Sequence, residues 1–182
     1  MSATTATTPL TGTWAVDPAH SRVEFQVKHL GIATVRGAFR EFDGTLELSD
    51  DGAQAYGTVK ATSVDTNEPQ RDDHLRSGDF FDAEQHPDLA FRSTAIRQLD
   101  DDTLEIAGEL TMRGVTRPIT LKAEIQGYEQ DPWGNDRVAL EASGQLSRAE
   151  WGMTFNQALG SGNVLVSDKV KLRLDISAVK QG

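Results

Sequence analysis

The chain has 182 residues and carries 28 Asp and Glu against 18 Lys and Arg, a formal net charge of −10. This length suits one domain with its own hydrophobic core, and the charge disfavours nucleic acid and anionic membrane surfaces as partners. Cysteine is absent, which excludes disulfides and thiolate chemistry. No run approaches about 18 consecutive apolar residues, so we expect no stable membrane insertion.

The beginning of the chain, MSATTATTPLT, is rich in Thr and Ala and lacks the basic and apolar segments of a secretory signal. We expect a disordered tail over residues 1–11 and a single domain over residues 12–180. The absence of a signal favours a cytoplasmic location, whereas a processed start would fit a periplasmic or secreted protein.

Alternation of apolar and polar residues with a period of two runs through the chain and predicts β-strands. In SRVEFQVKH, Val23, Phe25 and Val27 share one face and the polar residues share the other. Seven further segments alternate in the same way, and turn signals such as Asp43-Gly44 separate them. Roughly eight to ten long strands joined by short turns favour an antiparallel up-and-down barrel. A Greek-key sandwich is the alternative that periodicity alone does not exclude.

One polar stretch, residues 67–89, interrupts this alternation. Asn67 has the character of an N-cap, Pro69 falls in a first helical turn, and Gly78 follows at a stopping point. These signals predict a short helix over about residues 69–77. A helix inserted between two long strands often covers one end of a barrel.

Three polar residues at a strand entry, Asp17, His20 and Ser21, raise the possibility of a hydrolase or isomerase. A nucleophilic triad needs the Ser oxygen on one ring nitrogen and the carboxylate on the other, but neighbouring strand residues point to opposite faces. A pairing of His74 with Asp72 is the other catalytic alternative. An Asx-type turn that leads into the strand is the simpler interpretation, and we expect no enzyme.

The histidines and acidic clusters do not predict a metal site. The four histidines contain no His-x-His or i, i+4 pair, and the acidic residues after position 71 do not follow the spacing of an EF-hand loop. We therefore expect no metal and no required cofactor.

Small residues alternate with phenylalanines on faces expected to point inward. Small side chains leave room for one apolar ligand in an eight-stranded barrel, although a strand glycine can also mark a bulge. A solid barrel that binds carbohydrate or protein at its surface, with Trp133 exposed, is the alternative. The small residues are Gly37, Gly57, Ala61, Ser93, Gly108, Ala142 and Gly144.

Four ordered motifs resemble the YceI-like family of polyisoprenoid-binding, lipocalin-like proteins. They are DPAHSRVEFQVKHLGIATVRGAFREFDGTL, RDDHLRSGDFFDAEQHPDLAFRST, IAGELTMRGVTRPITL and, more loosely, ASGQLSRAEWGMTFN. The resemblance covers about residues 12 to 178. It implies an antiparallel barrel of about eight strands with a helix near one end. It also implies a pore for an isoprenoid chain, a quinone or another lipid, and no catalytic activity. Many members are periplasmic, and this chain departs from them by lacking a signal peptide.

Strand parity and position within these motifs suggest which side chains meet such a lipid. A polyprenyl chain or quinone tail would fill the interior, its head would lie at the barrel mouth, and a homodimer is compatible with the sequence. The candidates for the head group are His20, Arg71, His74 and Arg76. The candidates for the tail are Val23, Phe25, Val27, Phe39, Phe42, Leu75, Phe80, Phe81, Phe91, Met153 and Phe155.

Overall fold

A computed structural model describes residues 11–49 and 51–182 of the chain. The expected tail spans residues 1–11, and its residues 1–10 lie outside the described residues. The strands are β1 Gly12–Val16, β2 Arg22–His29, β3 Ala33–Phe39, β4 Phe42–Ser49, β5 Gly52–Lys60, β6 Val64–Asp65, β7 Asp88–Gln98, β8 Thr103–Met112, β9 Val115–Gln130, β10 Asp136–Ser147 and β11 Val166–Gln181. One α-helix, α1, spans Pro69–Arg76, and 3₁₀ turns span Pro18–His20, Ala61–Ser63 and Arg148–Trp151.

These strands form one closed antiparallel barrel with eight strand positions. β1 and β2 are halves of one bent strand, because both pair with β11. β3 and β4 are halves of the next strand, which pairs with the first along its length. β5 and β6 follow in the third position, and β7 to β11 fill the remaining five. The structure therefore confirms the up-and-down barrel.

The helix lies at one end of this barrel, which we call the helix end. The connections β2–β3, β8–β9 and β10–β11 meet there. Arg113, in the β8–β9 turn, donates hydrogen bonds to the carbonyl oxygens of Gly78 and Phe80, just after α1. The backbone N–H of Leu30 donates to the Leu165 oxygen across 2.9 Å. The opposite end holds both ends of the described chain and the other three hairpin turns.

The predicted helix is present, but its cap is different. Asn67 has a positive φ of 65° and its N–H donates to Asp65. The N-cap is therefore Glu68, whose carboxylate accepts from the Gln70 N–H across 3.2 Å. Ser77 has extended backbone and ends the helix after Arg76. No helix in the described residues is long and apolar enough to cross a membrane.

Two hydrophobic clusters fill different parts of the interior. The smaller one contains Trp14, Leu46, Val138 and Ala178 and lies toward the end of the barrel opposite α1. The larger one centres on the middle of the barrel and the helix end, where Trp151 is fully buried. Several inward-facing apolar residues beside the larger cluster are only half-buried, which indicates space inside the barrel.

Candidate functional site

The barrel encloses a cavity of about 450 Å³. This volume falls within the range of about 300–1,000 Å³ that is typical of small-molecule sites. Inward-facing Val, Leu, Ile and Phe side chains from strands all around the barrel form most of its wall. The structure places all eleven of the apolar candidates on this wall: Val23, Phe25, Val27, Phe39, Phe42, Leu75, Phe80, Phe81, Phe91, Met153 and Phe155.

The small residues on the inner face do not simply leave empty space. A Cβ on Gly37 would overlap the Phe25 ring, and a Cβ on Gly108 would lie 2.5 Å from Cζ of Phe91. These two glycines therefore let a phenylalanine ring lie flat across the neighbouring strand. The remaining volume is shaped by the rings rather than by the glycines alone.

Aromatic rings border the cavity at the helix end. His74 contacts Phe80 and Phe155 edge-on, with ring centroids 5.0 and 4.8 Å apart. Phe80 and Phe155 are 5.5 Å apart. His74 thereby joins α1 to the segment just after the helix and to the β10–β11 connection, and one of its ring nitrogens lies 2.8 Å from Asp79.

Only two of the four head-group candidates lie on the cavity. Arg71 and His74 border it and are exposed, so the cavity reaches the surface beside α1. His20 lies on the outer side of the barrel wall, in the turn between β1 and β2, and pairs with Asp17. Arg76 turns away to the carbonyl oxygens of Thr62 and Val64. His20 and Arg76 do not line the cavity, because local hydrogen bonds hold both side chains elsewhere.

Sequence reasoning missed a buried charged residue on the cavity wall, Arg148. Its side chain is buried and donates to the backbone oxygens of Ser167, Met153 and Val166 across 2.9, 2.7 and 3.2 Å. Burial lowers the pKa of the guanidinium, which nevertheless stays charged. Because an Arg in an irregular segment is normally exposed, the residue type alone did not indicate that Arg148 is buried at the cavity.

The residues Asp17, His20 and Ser21 do not form a catalytic triad. His20 Nδ1 lies 2.8 Å from Asp17 Oδ2. The Ser21 hydroxyl instead donates to the Ser177 oxygen and accepts from the Ser177 N–H, across 3.2 and 2.9 Å. The side chain of Ser21 therefore fastens the strand entry to β11.

His74 and Asp72, the second catalytic alternative, do not pair with each other either. Asp72 accepts from the N–H and hydroxyl of Thr66 at 2.8 and 2.5 Å, while His74 pairs with Asp79. Across residues 11–49 and 51–182, no group of three or more His, Asp or Glu side chains is arranged to hold a metal ion.

Comparison with known proteins agrees with this architecture. The family model for the YceI-like domain matches residues 14–178. Protein YceI of Escherichia coli O17:K52:H18 (strain UMN026 / ExPEC) is 38% identical over 165 residues, which cover 89% of this chain and 83% of that protein.

Solved structures share the same fold. The YCEI protein of Campylobacter jejuni superposes with a TM-score of 0.74 at 27% identity, covering 85% of this chain and 90% of that one. A domain from Saccharophagus degradans, described as polyisoprenoid-binding, superposes with a TM-score of 0.73 at 12% identity, covering 92% and 98%. With the family model spanning nearly all of the barrel, the chain belongs to the YceI-like family.

Proposed function

We propose that this protein binds one apolar isoprenoid-type lipid inside the barrel, as a carrier, storage or sensing protein and not as an enzyme. The observation that carries the proposal is the 450 Å³ cavity with its wall of Val, Leu, Ile and Phe side chains. The description of the Saccharophagus degradans domain as polyisoprenoid-binding supports the same class of ligand. A polyprenyl chain and the tail of an isoprenoid quinone share the chemistry that this wall would recognise.

The driving force would be burial of the lipid tail. Each CH₂ group removed from water contributes about 0.8 kcal/mol, so a chain of three isoprene units could support useful affinity without specific polar contacts. The length of the tail would be limited by the cluster around Trp14 and Leu46, which fills the interior toward the far end. The head group would remain near Arg71 and His74, where the cavity reaches the surface.

A cavity-filling substitution tests this proposal. Val23→Trp places an indole in the cavity, because Val23 faces inward on β2. Lys28→Trp is the matched control on the exposed face of the same strand. We expect Val23→Trp to weaken binding of farnesol by about tenfold or more, since displacing two CH₂ groups costs about 1.6 kcal/mol. Isothermal titration calorimetry measures both variants.

The control should bind farnesol within about twofold of the wild type, because a tenfold change corresponds to about 1.4 kcal/mol and an exposed side chain contributes much less. Equal affinity in Val23→Trp, Lys28→Trp and the wild type would show that the lipid does not enter the barrel. A lipid that binds equally well to all three proteins would have its site on the outer surface of the barrel.

A further inference from the structure

Arg148 retains hydrogen-bonding capacity at the cavity. A guanidinium has five N–H groups, and Arg148 uses one on each nitrogen for the backbone oxygens of Ser167, Met153 and Val166. One hydrogen on Nη1 and one on Nη2 therefore have no acceptor among the residues that the structure describes. The guanidinium carbon lies 5.8 Å from the centre of the Phe80 ring, within the aromatic group that borders the cavity.

The positive charge of Arg148 has no carboxylate within 4 Å among residues 11–49 and 51–182. Asp168 acts on it from a greater distance, but this carboxylate accepts from the Ser147 hydroxyl and the Ala149 N–H. A buried charge without a close counter-ion is costly, and three carbonyl dipoles offset only part of that cost. An anion in the cavity would offset more of it.

The other ionisable side chains that face the cavity at the helix end are also basic. Arg71 donates to the Thr66 hydroxyl and carbonyl oxygens and has no ion pair with any described residue, while His74 pairs outward with Asp79. Two acidic residues border the cavity, Glu24 and Asp43. Both alternate with inward-facing neighbours, so strand parity directs their carboxylates outward. These basic side chains are opposite in sign to the net charge of the chain, which is −10.

We propose that Arg148 selects an amphiphile with an anionic head, a carboxylate or a phosphate monoester, whose apolar tail fills the cavity. This inference rests on the proposed function and names the class of ligand more narrowly. A guanidinium binds oxyanions with paired, charge-assisted hydrogen bonds, and the low polarity around Arg148 would strengthen them. Arg71 would add positive charge at the surface.

The experiment compares farnesyl phosphate, farnesol and inorganic phosphate by isothermal titration calorimetry on the full chain. The variants are Arg148→Gln, Arg148→Lys and the control Arg113→Gln. Arg113 is a suitable control because it lies at the same end and also bonds two backbone oxygens, but it is not on the cavity wall. We expect the wild type to bind farnesyl phosphate about tenfold or more tightly than farnesol, with no comparable affinity for inorganic phosphate.

Arg148→Gln should remove this preference while farnesol binding is retained, whereas Arg113→Gln should keep it. Arg148→Lys, which keeps the charge but not the paired donors, should keep part of it. Equal affinity of the wild type for the two lipids overturns the proposal, even where Arg148→Gln does not fold. Equal losses for both lipids in Arg148→Gln overturn it too, because they show a purely structural role. Binding of neither lipid overturns the proposed function itself, an outcome distinct from equal binding of both.

Discussion

Gly108 lacks a side chain at a point where the Phe91 ring crosses strand β8. A Cβ there would lie 2.5 Å from the ring and 2.6 Å from the backbone oxygen of Arg92, and the backbone cannot move aside as a side chain can. We expect Gly108→Ala to lower the free energy of unfolding by about 1–3 kcal/mol. Urea denaturation followed by far-UV circular dichroism measures this change.

Gly127→Ala is the control for that measurement, because a Cβ at Gly127, also in a strand, would meet nothing within 4 Å. It should leave stability unchanged or slightly raised, since alanine restricts the unfolded chain. If the two variants were equally stable, the close approach of Phe91 to Gly108 would not be a packing constraint.

Asp131 links the β9–β10 turn to Arg137, across 2.8 Å, and Arg137 reaches on to Asp17 at 2.9 Å. The hydrogen bond from Arg137 is the main cause that lowers the pKa of Asp131 from 3.8 to about 2. Because the folded pKa is lower than the unfolded one, this carboxylate stabilises the fold above about pH 4. The contribution is lost as the pH falls through about 2.

We expect Asp131→Asn to reduce stability at pH 7 and to flatten the acid-side loss of stability between about pH 4 and 2. Urea midpoints across this pH range measure both effects. Asp136→Asn is the control, because this exposed carboxylate has no ion pair within the described part of the chain. An unchanged pH profile in Asp131→Asn would contradict the assignment.

Residue types and strand parity predicted which apolar side chains line the cavity. They did not predict which charged side chains do. Val23, Phe25 and Val27 alternate with polar residues, so their inward direction could be predicted from a period of two. Arg148 could not be predicted in this way, because it bonds the backbone oxygens of Met153, Val166 and Ser167, and their positions depend on how the β10–β11 connection folds back. The sequence also did not show that Arg76 points away from the cavity. A basic side chain at such a position can bind a head group or donate to nearby carbonyl oxygens, and Arg76 does the latter.

The 3₁₀ turn Arg148–Trp151 anchors the β10–β11 connection. Trp151 is fully buried, and its indole N–H donates to the Leu110 oxygen on β8 across 2.8 Å. We expect Trp151→Phe to cost about 1–3 kcal/mol or more, because the carbonyl of Leu110 loses its buried partner. Thermal and urea unfolding measure the loss.

Trp133→Phe is the matched control, because Trp133 is 82% exposed in the β9–β10 turn. An exposed substitution of this kind should change stability by less than about 0.5 kcal/mol. Equal stability of the two variants would mean that Trp151 does not anchor the connection.

The helix α1 shows what local signals can and cannot predict. Pro69 and the polar composition around it were sufficient to predict a helix over about 69–77, and the structure has it over Pro69–Arg76. The cap was misplaced, because the competing bond between Asn67 and Asp65 arises from the turn out of β6. Such competition between two neighbouring polar residues is decided by backbone geometry that the sequence does not show.

Alternation, strand length and the family resemblance together predicted an antiparallel barrel of about eight strands. They did not predict that three of the eight strand positions are each divided into two shorter strands. This division arises where the 3₁₀ turns Pro18–His20 and Ala61–Ser63 bend the wall, and where β3 passes into β4. Closure depends on β11 pairing with both β1 and β2, a contact between opposite ends of the chain that no local pattern specifies.

Native mass spectrometry of the purified protein shows whether the barrel holds one lipid. Organic extraction and identification of the extract then name that lipid. We predict a bound isoprenoid lipid near one per chain, released on unfolding and at lower occupancy in the Val23→Trp variant. If the wild-type protein has the mass of the bare chain and takes up neither added polyprenyl lipid nor added quinone, the barrel does not bind a lipid of this class.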